Sequence, residues 1–309
     1  MAKRTGRYDG GRLGHYAPRF WLSWLAVGLS WVIAKLPRVI QRGLAKSLTV
    51  LVTKAGSSRT KTIRRNIELC FPELSSQERE TLIKDNIYTM IWTLFDVLAL
   101  VWEPRESLLA RTRVIGEQHL QDALAAKSPL IIVTGHSCGL ALGVAKLAEL
   151  TPYSIVYRRM DNPVLQAQIY QRAANNHPIK IIHRKEISDM LTDLSNQGTV
   201  LIAPDQDFGL KHGAFIKFFG IDTATILNIP RYAKSAGARV LLMHTYREAS
   251  GDCVIEIEPM LENYPSGDDL ADTQLWSDYL EQQVRKHAAD YFWLHKRFKT
   301  RPEGQKKLY

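Results

Sequence analysis

Apolar and polar positions follow two different patterns along the 309 residues. Up to about residue 110 the apolar positions recur at helical spacing. Phe20 to Ala34 runs for 15 residues without a charge, with Arg19 before it and Lys35 and Arg38 after it. A second helix is predicted over 41–54, with Leu44, Leu48, Leu51 and Val52 on one face, and a third over 59–69. Ser75-Ser76-Gln77-Glu78 has the form of a capping box and opens a long helical stretch to about Trp102. From Arg113 the pattern changes to short apolar, β-branched runs separated by helical segments. The runs at 113–115, 130–134, 154–157, 179–183, 199–204, 239–246 and 253–258 predict strands. Helices are predicted at about 116–126, 138–150, 163–176, 186–196, 225–236 and 272–290. Asn162-Pro163 supplies an N-cap and a first-turn proline for the third of these.

Strand and helix alternating in this way predict an α/β fold with a mainly parallel central sheet sandwiched by helices. A membrane-associated helical region precedes it. The expected divisions are a basic arm and anchor helix over 1–38, a helical region over 39–110, and an α/β core with a basic tail over 111–309. No internal repeat is present.

The run Leu130–Thr134 ends at Gly135, and His136 follows at once. The next segment carries Leu140, Val144, Leu147 and Leu150 at helical spacing. His136 is therefore expected at the carboxyl end of a strand and the mouth of a helix. Open α/β sheets bind ligands there, and a helix N-terminus adds unpaired N–H groups. His136 is the candidate general base. Cys138 lies two residues on, but neighbouring turn positions rarely give nucleophile–base geometry, and buried cysteine is a common core residue.

Other chemistry gathers at other strand ends. Asp205-Gln206-Asp207-Phe208-Gly209 follows the strand at 199–204. These carboxylates suit hydrogen bonding to substrate, metal binding or support of the site; turn chemistry is an equal contender. Tyr157-Arg158-Arg159 and His183-Arg184-Lys185 end two further strands with basic groups that suit a phosphorylated ligand, or else form solvated loops. Gly213 to Ile221 reads as an apolar loop, for an acyl pocket, a membrane contact or the core.

Charge adds a partner class. Residues 1–65 carry 14 Lys/Arg and one acid, and residues 291–309 carry six basic residues and one acid. The excess positive charge sits at the two ends, while the middle holds 21 basic and 29 acidic residues. Basic ends suit anionic lipid, an acidic protein or nucleic acid, and no zinc-finger or RNP-type motif supports the last. The Tyr291–Pro302 stretch interleaves aromatic and basic residues, as single-stranded nucleic acid or a membrane interface would require. Three scattered cysteines suggest no disulfide framework or metal site and fit a reducing compartment. A spanning helix needs about 20 apolar residues, so the run at 20–34 is marginal. Its three tryptophans favour the interface, and it is expected to be a membrane anchor, as a short span or an in-plane helix.

Gly135-His136, Tyr157-Arg158 with Asn162-Pro163, Ala203–Gly209, Phe218-Phe219-Gly220 and Trp293–Pro302, in this order, resemble the late (secondary) acyltransferases of lipid A biosynthesis. Arg64–Leu74 does the same in the helical part. The broader superfamily includes phosphatidylinositol mannoside acyltransferases, the close rival. The resemblance implies an enzyme of the bacterial inner membrane, facing the cytoplasm. It would move an acyl chain from acyl carrier protein or coenzyme A to a hydroxyl of a lipid A precursor. Neither cofactor nor metal is implied; acyl carrier protein, the lipid A precursor and anionic membrane lipids are the expected partners, and nucleic acid is not.

The family's motif is a histidine, four residues, then Asp or Glu. Here the histidine is His136 and the acidic position is Ala141. A hydroxyl attacking a thioester needs a neutral imidazole to take its proton, and a carboxylate on the other ring nitrogen fixes the tautomer. Alanine supplies none of this, so the resemblance implies a catalytically impaired form. Three accounts stand open: an introduced acid-to-alanine change, favoured by the intact surroundings; a natural, non-catalytic lipid-binding pseudoenzyme; or service of His136 by Asp205 or Asp207. Arg158, Asn162, Arg184, Asp205, Asp207, Lys217, His295 and Arg297 are the candidate substrate-binding residues. A thioesterase is a further enzymatic alternative.

Overall fold

A computed structural model describes residues 15–157, 159–183 and 186–309. The basic arm's first 14 residues, Arg158, Arg184 and Lys185 lie outside the described residues.

Four helices open the chain: α1 (Trp21–Lys35), α2 (Arg38–Ala55), α3 (Ser58–Cys70) and α4 (Ser76–Trp102). The expected capping box starts α4: Glu78 N–H donates to Ser75 Oγ, and Ser75 N–H donates to Glu78 Oε2 at 2.7 Å. The buried faces of α1 (Val27, Ser30, Ala34) and α2 (Gln41, Ala45, Thr49) are small or polar. Gln41 Nε2 donates to the carbonyls of Ile33 and Leu36, satisfying the end of α1 that the turn into α2 leaves open. The outward faces carry Trp21, Leu22, Leu25, Leu29 and Trp31 on α1, and Val39, Leu44, Leu48 and Leu51 on α2. At about 1.5 Å per residue α1 is about 22 Å long, short of a hydrocarbon core of about 30 Å. Among the described residues no helix is long and apolar enough to cross a membrane, so the short-span form of the anchor is not found.

A short helix α5 (Arg105–Leu109) leads into the α/β part. Its order is β1 (Thr112–Ile115), α6 (Glu117–Ala125), β2 (Leu130–Val133), α7 (Leu140–Leu150), β3 (Tyr153–Tyr157), α8 (Pro163–Leu165), α9 (Arg172–Asn176), β4 (Ile179–His183), α10 (Ile187–Ser195) and β5 (Thr199–Ile202). A π-helical turn, Gln166–Gln171, joins α8 to α9. Then come β6 (Gly213–Phe218), β7 (Ile221–Ile226), α11 (Asn228–Ala236), β8 (Arg239–Arg247), β9 (Cys253–Ile257) and α12 (Asp269–Lys286).

Seven strands form one sheet in the order β1-β9-β8-β2-β5-β3-β4. All neighbours are parallel except β8 and β9. All seven expected strands are in it. β2 is central, and its Leu-Ile-Ile-Val run is buried throughout, as a parallel strand covered on both faces requires. Ile131 and Val133 face a core shared with Ile67, Ile87 and Trp92 of α3 and α4, so the helical region packs into the same core as the sheet. Leu130 and Ile132 face a second core with Leu120 and Leu147.

The stretch 213–221, expected as a loop, is instead most of a hairpin. β6 and β7 pair antiparallel with Phe218 opposite Ile221. Phe219 and Gly220 make the two-residue turn with φ of 54° and 71°. Left-handed values at both positions match the twist of the flanking strands. Phe218 is fully buried, so the core reading of this stretch is the one the structure supports.

Candidate active site

The register of the sheet builds the site. β2 and β5 pair from Leu130 opposite Thr199 to Val133 opposite Ile202, a constant offset of 69. The ladder continues one residue further, where Thr134 N–H donates to the Ile202 carbonyl. Two positions beyond it, that offset sets His136 beside Asp205. The gap between Nδ1 of His136 and Oδ1 of Asp205 is 2.5 Å. The other carboxylate oxygen, Oδ2, accepts from the backbone N–H of His136 at 2.9 Å and from the Tyr291 hydroxyl at 3.0 Å. Asp205 is 2% exposed, while a third of the His136 side chain remains open.

Each group is held from behind. Phe292 N–H donates to the His136 carbonyl at 3.0 Å, and Cys138 N–H donates to the Asp290 carbonyl at 2.6 Å. An antiparallel bridge pairs Ser137 with Tyr291. That segment after α12 is clamped by the buried Asn86 of α4, whose Nδ2 donates at 2.8 Å to the carbonyls of both Ala289 and Tyr291. Asn66 of α3 grips the next stretch through the carbonyls of Trp293 and His295. Sequence reasoning had Tyr291 only in an aromatic–basic stretch and Asn66 only in the Arg64–Leu74 resemblance, with no role for either, and it missed Asn86. For the two asparagines the available signal was a polar residue on the apolar face of a helix.

The electrostatics follow from this packing. Burial pulls the His136 imidazole toward its neutral form, but the charge and hydrogen bond of Asp205 outweigh it, and its pKa lies above the ordinary histidine value. Burial pushes the Asp205 carboxyl up, and the charge and hydrogen bonds of His136 overcome this, holding it well below the usual carboxylate range. With the carboxylate on Nδ1, the neutral imidazole keeps its proton there and presents a lone pair at Nε2. Nε2 faces Gln206, whose Nε2 is 3.3 Å away.

The remaining predicted residues separate into groups. Ala141 lies in the first turn of α7, half-buried, with no polar side-chain atom. Asp207 binds protein rather than standing open to ligand: it accepts from Gly209 N–H, Thr300 N–H and Thr300 Oγ1. Its own N–H donates to His295 Nε2 at 3.0 Å, which fits a histidine that burial lowers toward neutrality. Arg297 is buried and donates to the Ala224 carbonyl and Thr225 Oγ1 of β7. Asn162 caps α8 through the N–H groups of Val164 and Leu165, and its Nδ2 ties Ser23 of α1 at 2.8 Å. Lys217 is 60% exposed on the hairpin, paired with Asp222 at 2.7 Å. Asp207, His295, Arg297 and Asn162 thus have partners within the protein, while Lys217 stays exposed beside Asp222. Arg158 and Arg184 lie outside the described residues.

Cys138 is 1% exposed and burial pushes its thiol up to about 12, so it carries no thiolate at neutral pH. A cavity of about 940 Å³ opens past the ends of β3 and β4, lined among others by Arg19, Phe20, Tyr157, Arg159 and Gln166.

The fold and site define an α/β protein whose buried aspartate orients a half-open histidine at the carboxyl edge of a parallel sheet. Over residues 13–300 the chain matches the family described as bacterial lipid A biosynthesis acyltransferase. It is similar to the lipid A biosynthesis lauroyltransferase of Escherichia coli, at 33% identity over 93% of this chain and 94% of the relative. The corresponding figures for the palmitoleoyltransferase of the same organism are 28%, 94% and 95%. A lipid A biosynthesis acyltransferase of Haemophilus influenzae is 30% identical over 93% of each chain. The chain belongs to the bacterial lipid A biosynthesis acyltransferase family, and it is an acyltransferase.

Proposed function

We propose that this chain transfers a fatty acyl group from a carrier thioester to a hydroxyl of a lipid A precursor, with His136 as general base and Asp205 as its orienting acid. The observation that carries this reading is the Asp205 carboxylate, 2.5 Å from His136 Nδ1 and fixed by two further donors. It supplies the acid absent at Ala141, the third of the three accounts of that position. The names and coverage of the relatives support the lipid acceptor over a mannoside.

In the reaction His136 Nε2 takes the hydroxyl proton as the oxygen attacks the thioester carbonyl. Asp205 stabilises the imidazolium that forms. The tetrahedral intermediate collapses, the carbon–sulfur bond breaks, and the thiol leaves with a proton. Acyl carrier protein or acyl-coenzyme A serves as co-substrate, and no step needs a metal or other cofactor. Arg19 and Arg159, which line the cavity together with Asp161 and Glu186, are the groups there that suit a phosphate-bearing part of either substrate.

We further propose that α1 and α2 lie in the plane of the bilayer. Their outer faces carry large apolar side chains, among them Trp21, Leu25, Leu44 and Leu48, while Ser30, Gln41 and Thr49 are buried beside Val27, Ala34 and Ala45. α2 carries Arg38, Arg42, Lys46 and Lys54 and no acid, which suits anionic lipid. The free cysteines fit the cytoplasmic face of the inner membrane.

The test is transfer of a labelled lauroyl group from acyl carrier protein to a lipid A precursor. The chain is expected to form the ester and His136→Ala to abolish it. Release of free fatty acid without ester would instead show a thioesterase.

A further inference from the structure

Of the adjacent Asp205, Gln206 and Asp207 on the loop after β5, the two carboxylates are fully engaged. Asp205 is bound by His136 and Tyr291, and Asp207 by Gly209 and Thr300. Between them stands Gln206, half-buried, with its amide on the working nitrogen of His136 at 3.3 Å. The proton arrangement determines which end of that amide faces the ring. In the neutral form that acts as base, the ionised Asp205 holds the imidazole proton on Nδ1, so Nε2 has only a lone pair and Gln206 presents an N–H to it. In that form a donor occupies the position the attacking hydroxyl must take.

We propose that Gln206 is a catalytic residue of the transfer, the donor that receives the oxyanion. This rests on the reading of His136 as general base. When the acceptor hydroxyl binds, its O–H takes over the lone pair of Nε2 and releases the Gln206 amide. The hydroxyl oxygen then bonds to the thioester carbonyl carbon, and the carbonyl π pair moves onto its oxygen. That oxygen lies one bond beyond the new carbon–oxygen bond, beside the N–H groups just displaced. His136 holds the hydroxyl proton at this stage. The oxyanion re-forms the carbonyl, the carbon–sulfur bond breaks with its electron pair on sulfur, and the imidazolium returns the proton to the leaving thiolate. Ester and thiol are the products, and no charge is left over. The loop carrying the donor is held on both sides, by the bonds of Asp205 and of Asp207, so the amide has only to turn from the ring nitrogen to the oxyanion beside it.

The experiment compares the unmodified chain, His136→Ala, Gln206→Leu and Gln206→Glu for lauroyl transfer from acyl carrier protein to a lipid A precursor. Thermal unfolding of each variant is measured alongside. Gln206→Leu is expected to lower kcat by about 10²–10³, the loss on removing one oxyanion donor, and to leave KM within about threefold. Gln206→Glu keeps the shape and puts a second carboxylate beside the ring. It should lower kcat at least as far and move the rise of kcat with pH to higher pH, a shift that a purely structural side chain would not cause. Retained kcat with a raised KM, or faster turnover in Gln206→Leu as the lone pair is uncovered, would overturn the inference while leaving His136 as the base. Absence of transfer in the unmodified chain would remove the base reading and this inference together. Should Gln206→Leu fail to fold, Gln206→Glu decides alone: normal kcat with an unmoved pH profile refutes the role.

Discussion

Replacing Asp205 by asparagine removes one negative charge and leaves the shape of the side chain unchanged. Its consequence can be worked out from the donors around it. The backbone N–H of His136 and the Tyr291 hydroxyl both donate to Oδ2, and the backbone N–H cannot turn away. An asparagine keeps these bonds only with its oxygen at that position, which points its NH₂ group at Nδ1 of His136. Nδ1 must then accept, the ring proton moves to Nε2, and the base is lost. The opposite amide rotamer restores the tautomer but sets an NH₂ group against a buried N–H, at a cost of about 1–3 kcal/mol. In neither rotamer does a charge stabilise the imidazolium. The expected loss in kcat is about 10⁴-fold, the cost of the same change in the Ser-His-Asp triad, equivalent to about 5 kcal/mol of barrier.

The assay is steady-state lauroyl transfer as a function of pH. In the unmodified chain Asp205 raises the His136 pKa, so kcat should climb with pH through a value above the ordinary histidine range. Asp205→Asn removes that negative charge, and any residual activity should climb at lower pH. A loss below about tenfold, or an unmoved inflection, would refute the pairing as the source of basicity.

Three further outcomes are expected. Asn86→Ala strands the buried Tyr291 carbonyl and the part-buried Ala289 carbonyl and should cost about 1–3 kcal/mol in urea unfolding with a fall in kcat, because the freed segment backs His136. Asp96 is fully buried between Arg247 and Arg38; Asp96→Ala leaves Arg247 unpaired in the interior and should cost about 3–5 kcal/mol by the same measurement. Leu44→Glu with Leu48→Glu on the outer face of α2 should release the protein from anionic vesicles in sedimentation, and added salt should weaken binding of the parent chain.

Much of this fold is legible in the sequence because its signals are local. The β-branched runs gave all seven sheet strands, and Ser75 with Glu78 gave the start of α4. The hairpin of β6 and β7 was hidden because Phe219 occupies a left-handed position where Asn or Gly normally marks the turn. Within the site, His136 was visible as a histidine after a strand-ending glycine. Asp205 was visible as a residue at another strand end, but its meeting with His136 depends on the register between two strands far apart in sequence. Side-chain periodicity fixes which residues face the core, not which strand lies beside which. The equal offset of 69 is apparent only once β2 and β5 are known to be neighbours. The tie between Asn162 and Ser23 of α1 is likewise a long-range fact, invisible in the sequence.

The account stands or falls on where the acid of the dyad resides. The decisive measurement is the lauroyl transfer rate of four proteins under one set of conditions: the chain with Ala141, Ala141→Glu, Asp205→Asn, and the two changes combined. The account predicts transfer with Ala141 in place, its loss in Asp205→Asn, and a change within about tenfold on Ala141→Glu. Transfer that appears only with Glu at 141, and survives Asp205→Asn in that background, would contradict it.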